Sequence, residues 1–375
     1  MSEKVSIVKC SSYEKEPVYK AVKKAIDLIG GLKIRKGSKV LIKPNLLRPR
    51  HPKWQVTTHP EVIRAIIKIL KQNKCKAYVG DSPGFHDPFV TAKVCGILDV
   101  CEQEKVPFVD FRKKKSCLYK DAIFMKRFEL TDFLDKVDYI VNVPKLKTHV
   151  MMGATFAIKN TFGFMVGLNK SRMHFKLDDK EKFASMLVDL NNFIKPALNI
   201  MDGIIGMEGN GPGNGDPKKV GVIAASYDSL AMDITMCRVV GFDPLSILTN
   251  KIALSRKDRD FMQNIEVVGE KNVRVKFKPG DKKPLSFVLP KGFARIVNNL
   301  TSSRPIIDYK KCRACEECIK ICPAKTIIMK DYGSKKAAWI NKKNCIRCFC
   351  CHEICPHDAI DIKKSLLGEI IEKIG

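Results

Sequence analysis

Cys312-Arg313-Ala314-Cys315-Glu316-Glu317-Cys318-Ile319-Lys320-Ile321-Cys322-Pro323 is the stretch that decides how this chain is built. Its spacing, Cys-x2-Cys-x2-Cys-x3-Cys-Pro, returns 33 positions later as Cys345, Cys348, Cys351 and Cys355, followed by Pro356. Ile327 maps onto Ile360 under the same shift, so the repeat outlasts the cysteines. Four thiolates hold an iron–sulfur cubane, and a run at this spacing wraps three of them around one corner of it. A structural zinc site would use separated Cys-x2-Cys pairs rather than triplets followed by Cys-Pro. The remaining thiols form no pattern. Cys10, Cys75, Cys95, Cys101, Cys117 and Cys237 are scattered, and Cys350 lies off the ligand spacing and reads as a small buried filler.

From roughly Ile306 to Ile362 the chain resembles bacterial-type two-cluster ferredoxins, in which the fourth Cys of each run ligates the other cluster. The resemblance implies two [4Fe-4S] clusters. One takes Cys312, Cys315, Cys318 and Cys355; the other takes Cys345, Cys348, Cys351 and Cys322. The link from Ala324 to Asn344 is a little longer than in the smallest members. Lys310, Lys311, Arg313, Lys342, Lys343 and Arg347 flank the runs. Nearby cations raise a cluster's reduction potential, and a basic surface also suits docking of an acidic redox partner such as a ferredoxin. A composition shift over Leu300-Thr301-Ser302-Ser303-Arg304-Pro305 marks a linker, giving a large domain at 1–300 and a small α+β ferredoxin-type domain at 301–375. Lys363 to Ile374 has helical spacing, with Leu366, Leu367, Ile370 and Ile371 apolar, and is expected to pack back onto the protein.

Outward from this anchor, the 375 residues carry 68 Lys+Arg against 40 Asp+Glu, a formal charge of +28, with 45% hydrophobic residues. Wholesale disorder is excluded. No apolar run approaches the roughly 20 residues that span a bilayer, and Met1-Ser2-Glu3-Lys4-Val5 opens no secretory signal. A cytoplasmic protein without a membrane partner is the expectation, with dense cysteine meaning metal ligation rather than disulfides. Oligomeric state is not legible.

Up to about residue 300 strand and helix patterns alternate. Strand-like runs are Val5 to Cys10, Ser38 to Ile42, Ala77 to Val79, Pro107 to Phe111, Tyr139 to Val143, Leu198 to Met201 and Val220 to Ala224. Helical patterns run from Pro17 to Ile29, from Pro60 with Val62, Ile63, Ile66, Ile67 and Leu70 apolar, from Lys180 to Phe193, and from Ser229 to Val240. Such alternation predicts an α/β fold, a mainly parallel sheet with flanking helices. Polar residues follow the strands: Lys43-Pro44-Asn45, Asp81-Ser82-Pro83-Gly84, Pro144-Lys145-Leu146-Lys147-Thr148-His149, Asp202-Gly203, and Ser226 to Ser229. If all these strands are parallel, the five clusters converge on one crevice at the carboxyl ends, where ligands bind in open α/β sheets. Lys145, Lys147 and His149 alternate, so in extended backbone they share a face and call for water or an anion. Met207-Glu208-Gly209-Asn210-Gly211-Pro212-Gly213-Asn214-Gly215-Asp216-Pro217 is neither a Walker loop nor a dinucleotide fingerprint. It reads as an anion nest approached closely by a ligand, or as a surface lid.

Lys43-Pro44-Asn45-Leu46, Gly80-Asp81-Ser82-Pro83-Gly84, Pro144 to His149, Gly153-Ala154-Thr155, Lys159-Asn160 and Met207 to Pro212 resemble the motifs of the domain-of-unknown-function 362 family over roughly residues 5–245. Members often carry a C-terminal two-cluster ferredoxin domain. The resemblance implies fold and architecture, and raises these motifs' weight as one site. It implies no substrate.

The functional reading is an iron–sulfur electron-transfer protein, an oxidoreductase delivering electrons to an anionic substrate or cofactor in the large-domain cleft. His149, Asp81 or Glu208 would move the accompanying proton. Lys43, Asn45, Ser82, Lys145, Lys147, Lys159, Asn160, Asp202 and Asn210 would bind the substrate. No flavin or nicotinamide motif is recognisable, so any additional cofactor stays unassigned. A non-catalytic carrier or assembly factor docking a protein partner is one alternative. Nucleic-acid binding, suggested by net charge and Lys113-Lys114-Lys115, is another, disfavoured because the basic residues are dispersed and only two Trp and eight Tyr are available for stacking.

Overall fold

The computed structural model describes residues 2–280 and 303–363, except Phe85, Leu168, Asp178 and Ser334. The linker around residues 300–302 and the helical tail expected over Lys363 to Ile374 therefore lie outside the described residues, apart from Lys363 itself.

Among the described residues, twelve strands and nine helices make up the large unit. In chain order these are β1 (Glu3–Lys9), α1 (Lys15–Leu28), β2 (Lys39–Pro44), α2 (Pro60–Gln72), β3 (Lys76–Asp81), α3 (Pro88–Val94), α4 (Ile97–Gln103), β4 (Phe108–Asp110), β5 (Lys114–Leu118), β6 (Arg127–Thr131), β7 (Tyr139–Val143), β8 (Lys145–His149) and β9 (Gly153–Thr155). There follow α5 (Ala157–Asn160), α6 (Asn169–Lys176), α7 (Lys180–Ile194), β10 (Leu198–Glu208), β11 (Asp216–Ser226), α8 (Ser229–Val239), α9 (Leu248–Leu254) and β12 (Ile265–Gly269). Ten strands form one sheet in the order β12-β1-β11-β10-β7-β2-β3-β4, with β8 beside the far end of β10 and β9 beside β8. From β10 to β4 neighbours along this path are parallel, whereas β11 runs antiparallel to both β10 and β1.

Side chains alternate between two faces, as strand geometry requires. Val40 and Ile42 pack beneath α1 and α2, while Leu41 faces the layer of α7. Ile200, Ile223 and Ala225 join the first layer; Met201, Val222 and Ala224 meet α8. The stripe on α2 is buried as its spacing predicts, and Pro60 sits at the first helical position behind His59, whose Nδ1 accepts from the Glu61 amide at 3.3 Å. Full burial of side chains such as Ile63 or Ile67 stabilises by about 1.5–3 kcal/mol each.

The small unit reproduces its sequence repeat in backbone geometry. Left-handed residues Ala314, Glu316 and Lys325 recur as Arg347, Phe349 and Asp358, again 33 apart. The short helices Glu317–Ile321 and Cys350–Ile354 correspond in the same way. Antiparallel pairs β13 (Arg304–Ile307) with β16 (Ile360–Lys363), and β14 (Ile327–Tyr332) with β15 (Lys335–Ile340), complete it.

The two units are clasped by Arg48. Its guanidinium is 2% exposed and donates to the Cys355 carbonyl of the small unit, to the Gly213 carbonyl at 2.7 Å, to the Asn214 amide oxygen, and to Asp358 at 3.0 Å. Arg50 also pairs with Asp358. Truncation would strand buried acceptors on both units. Arg48→Ala is expected to lower unfolding free energy by about 3 kcal/mol or more, with Arg48→Lys restoring little because one ammonium cannot span the fork. Denaturant titration of the anaerobic protein measures both.

Candidate functional site

Parallel pairing of β2, β3 and β7 brings the sequence-predicted clusters to one edge. A cleft enclosing about 800 Å³ including its mouth opens there. Lys43 and Asp81 leave adjacent strands and pair at 2.9 Å, both buried. Asp81 also accepts the Leu46 amide at 2.8 Å. Asn45 donates to Asn160 at 2.8 Å, and Asn160 donates to Asn142 at 2.7 Å, leaving the buried Asn45 amide oxygen without a partner among the described residues. Ser82 lines the wall and accepts the Gly167 amide at 3.3 Å. Gly163 packs against the Lys43–Asp81 pair so closely that a Cβ there would overlap both groups.

From β8, Lys147 and His149 enter the cleft. Lys147 donates to the Val56 carbonyl at 2.6 Å and has no ion-pair partner among the described residues; burial drives its amine well down. Lys159 on α5 lies over the Phe162 ring, and burial lowers it too, against the field of Glu353. His149 Nδ1 accepts the amides of Met151 and Met152 at 3.1 and 3.3 Å. Its ring proton is therefore on Nε2, which stands 3.3 Å from Glu353 Oε1.

Three lining residues escaped sequence reasoning. Lys170 on α6 donates to the Ser82 carbonyl, and burial brings it down to about 7. His174, stacked on Phe183 at 4.4 Å, is held near 4 by burial and is neutral at physiological pH; its Nδ1 has no partner among the described residues. Glu353 belongs to the small unit. Burial pushes its carboxyl up, but the hydrogen bond of His149 and the charge of Lys159 outweigh this and bring it to about 2. No linear signal marks Glu353, because it sits inside a cysteine run.

Other expected residues lie elsewhere. Lys145 pairs with Asp202 at 2.9 Å and donates to Tyr13 and Gln55, a closed buried network outside the cleft. Asp202 sits in mid-strand because β10 runs six residues past Asp202 to Glu208. Glu208 accepts the Lys278 amide at 2.9 Å, and the Asn210 carbonyl faces His352. Ser226 to Ser229 fall at the opposite sheet edge, since β11 is antiparallel. The glycine-rich turn joins β10 to β11, and its close approaches are to protein: a Cβ on Gly211 would strike the Thr148 carbonyl, and Gly213 packs on Arg48. Cys350 is buried as expected, but it also lines the cleft.

The eight repeat cysteines gather as the ferredoxin pattern requires. Cys312, Cys315, Cys318 and Cys355 ring one cavity; Cys322, Cys345, Cys348 and Cys351 ring another. A cubane's four irons each take one thiolate. In both halves a backbone amide donates to the fourth sulfur, Thr326 to Cys322 at 3.4 Å and Ala359 to Cys355 at 3.3 Å. The helices Glu317–Ile321 and Cys350–Ile354 then present Ile321, Cys350, Glu353 and Ile354 to the cleft.

Comparison with known proteins agrees. The family described as a domain of unknown function (DUF362) matches residues 40–238, just over half of the chain. This chain belongs to that family. A 4Fe-4S dicluster domain matches residues 304–356, making the DUF362 chain an iron–sulfur protein. A thylakoid-associated protein of Synechocystis sp. is 33% identical over 252 residues, 66% of this chain and 78% of the relative. Among solved structures, the lactate racemase apoprotein of Thermoanaerobacterium thermosaccharolyticum aligns with a TM-score of 0.42 at 15% identity, over 64% of this chain and 56% of that one. A Thermotoga maritima protein aligns at 0.38 and 12%, over 59% and 57%. The chain thus spans just over half of each solved protein. Among the described residues no helix is long and apolar enough to cross a membrane.

Cys312→Ala and Cys345→Ala are each expected to lower bound iron and visible absorption in anaerobically purified protein, while Cys350→Ala leaves both unchanged. Gly163→Ala is expected to destabilise by about 1–3 kcal/mol through overpacking of the Lys43–Asp81 pair, as read by thermal unfolding.

Proposed function

We propose that this protein is an iron–sulfur reductase that accepts electrons from a redox partner such as a ferredoxin and delivers them to an anionic substrate or cofactor bound in the cleft. The observation that carries the reading is that the cysteine-bearing helices themselves wall the lysine-lined cleft, with Cys350 and Glu353 projecting into it. Two [4Fe-4S] clusters, held by the two cysteine sets, would supply one-electron reducing equivalents. A division near residue 300 into an α/β domain and a ferredoxin-type domain fits this arrangement. The seven cysteines outside the two ligand sets are unpaired thiols among the described residues, which suits the reducing cytoplasm.

The chain's own residues supply the rest. Lys43, Lys147, Lys159 and Lys170 face two carboxylates, Asp81 and Glu353, in a poorly solvated space, so their protonated forms are under-compensated. An incoming anion compensates them through charge-assisted hydrogen bonds. Asn45 and Asn160 orient the ligand, the Asn45 oxygen being a ready acceptor. His149, with its proton on Nε2 and Glu353 beside it, is placed to give a proton to the reduced substrate. Exposed Cys315, flanked by Lys310, Lys311 and Arg313, marks where an acidic partner would dock.

Mass spectrometry of small molecules copurifying anaerobically identifies the acceptor, whose addition should reoxidise the reduced protein. Lys147→Ala should slow that reoxidation about tenfold, the loss of one charged hydrogen bond, without altering the visible spectrum; a full rate would end the cleft assignment. Binding of the acceptor should strengthen as pH falls through about 7, where Lys170 gains its proton, and Lys170→Met should flatten that dependence.

A further inference from the structure

The hairpin of β5 and β6 contributes nothing to the cleft, and its tip leaves large apolar side chains in water. Cys117, Phe128 and Leu130 face the core under α7, while Leu118 points outward opposite Arg127. Ile123 is 71% exposed, Leu118 50% and Phe124 41%. A single exposed Leu means little, but three large apolar residues within one hairpin tip form a patch.

That tip is held in place. Buried Asp189, on α7, accepts the amides of Ile123, Phe124 and Met125 at 3.1, 2.9 and 2.7 Å, and is itself anchored by Arg256 at 2.7 Å. Three successive amides clamped by one carboxylate fix the backbone with Ala122 inward and the Ile123 and Phe124 side chains outward. Charge accompanies the patch. Residues 112–131 contain seven basic and two acidic side chains. Lys114 and Lys115 pair with Glu129 and Asp135, whereas Lys113, Lys120, Lys126 and Arg127 are exposed without an ion-pair partner among the described residues.

We propose that this hairpin is a membrane-surface anchor. Leu118, Ile123 and Phe124 enter the interfacial region of a bilayer rich in anionic lipid, and Lys113, Lys120, Lys126 and Arg127 lie among its headgroups. Interfacial binding grows with buried apolar area plus attraction to anionic lipid, and this tip offers both. Nucleic acid shares the charge preference, but aliphatic Leu118 and Ile123 provide no platform for base stacking. The expectation of no membrane partner rested on the length of apolar runs, which registers spanning segments and not surface contacts.

Sedimentation of the full-length anaerobic protein with vesicles tests this. Binding is expected to vesicles of equal parts phosphatidylcholine and phosphatidylglycerol, to weaken several-fold with added salt, and to be weaker still on phosphatidylcholine alone. Ile123→Ser with Phe124→Ser should weaken it about tenfold, and circular dichroism and visible absorption should match the parent because both side chains are exposed. Phe124→Trp emission should shift to the blue on adding the mixed vesicles. The proposal falls if the parent protein does not sediment with mixed vesicles, or if the double variant binds them equally, which would leave net charge alone as the cause. It falls equally if the protein retains single-stranded RNA through this hairpin and ignores vesicles. None of these readouts depends on the reductase reading.

Discussion

Taking a guanidinium out of water is costly unless acceptors surround it. Arg48 finds them on two stretches of chain far from its own: the glycine-rich turn between β10 and β11, and the Cys355 to Asp358 corner of the small unit. The rest of the cleft depends on that clasp. It sets the helix Cys350–Ile354 against the end of β8, and so delivers Glu353 to His149. Without it the sheet edge would be an open basic crevice. With it, the same crevice has a wall made from the residues between the cysteines.

Burial then governs the chemistry. Lys43 and Lys145 each meet a carboxylate at 2.9 Å, which opposes the desolvation that still lowers both. Lys147 meets only a carbonyl, and Lys170 likewise. Amines in that condition have lowered pKa values because the charged form lacks compensation. An anion restores it, so the cleft is preorganised for negative charge in a way that surface lysines are not. Glu353 already exploits this: its carboxylate stays ionised despite burial because His149 Nε2–H and the charge of Lys159 stand beside it.

Much of the fold was legible. The apolar stripe from Val62 to Leu70 buried as its period demands, and the cysteine repeat carried its left-handed positions and helices along with it. Motifs after β2, β3 and β7 reached one site because those strands are parallel neighbours. The misses share a cause. Antiparallel β11 sends Ser226 to Ser229 to the other edge, and the long β10 keeps Asp202 in mid-strand, where Lys145 finds it. Strand direction is set by which neighbour a strand hydrogen-bonds, a long-range choice that local periodicity does not carry. The glycine-rich segment advertised close approach correctly, but only packing shows that the approaching atoms are the Thr148 carbonyl and Arg48.

Local spacing alone determined the two cysteine runs, the main strand and helix patterns and the family motifs, since each depends on residues a few positions apart. Tertiary structure decided which cations share a cleft, that Glu353 joins them across more than 200 residues of sequence from His149, and that Asp189 pins an apolar hairpin tip outward. Those outcomes depend on which surfaces exclude water from each other, and solvent exclusion is a property of assembled surfaces rather than of any stretch of chain.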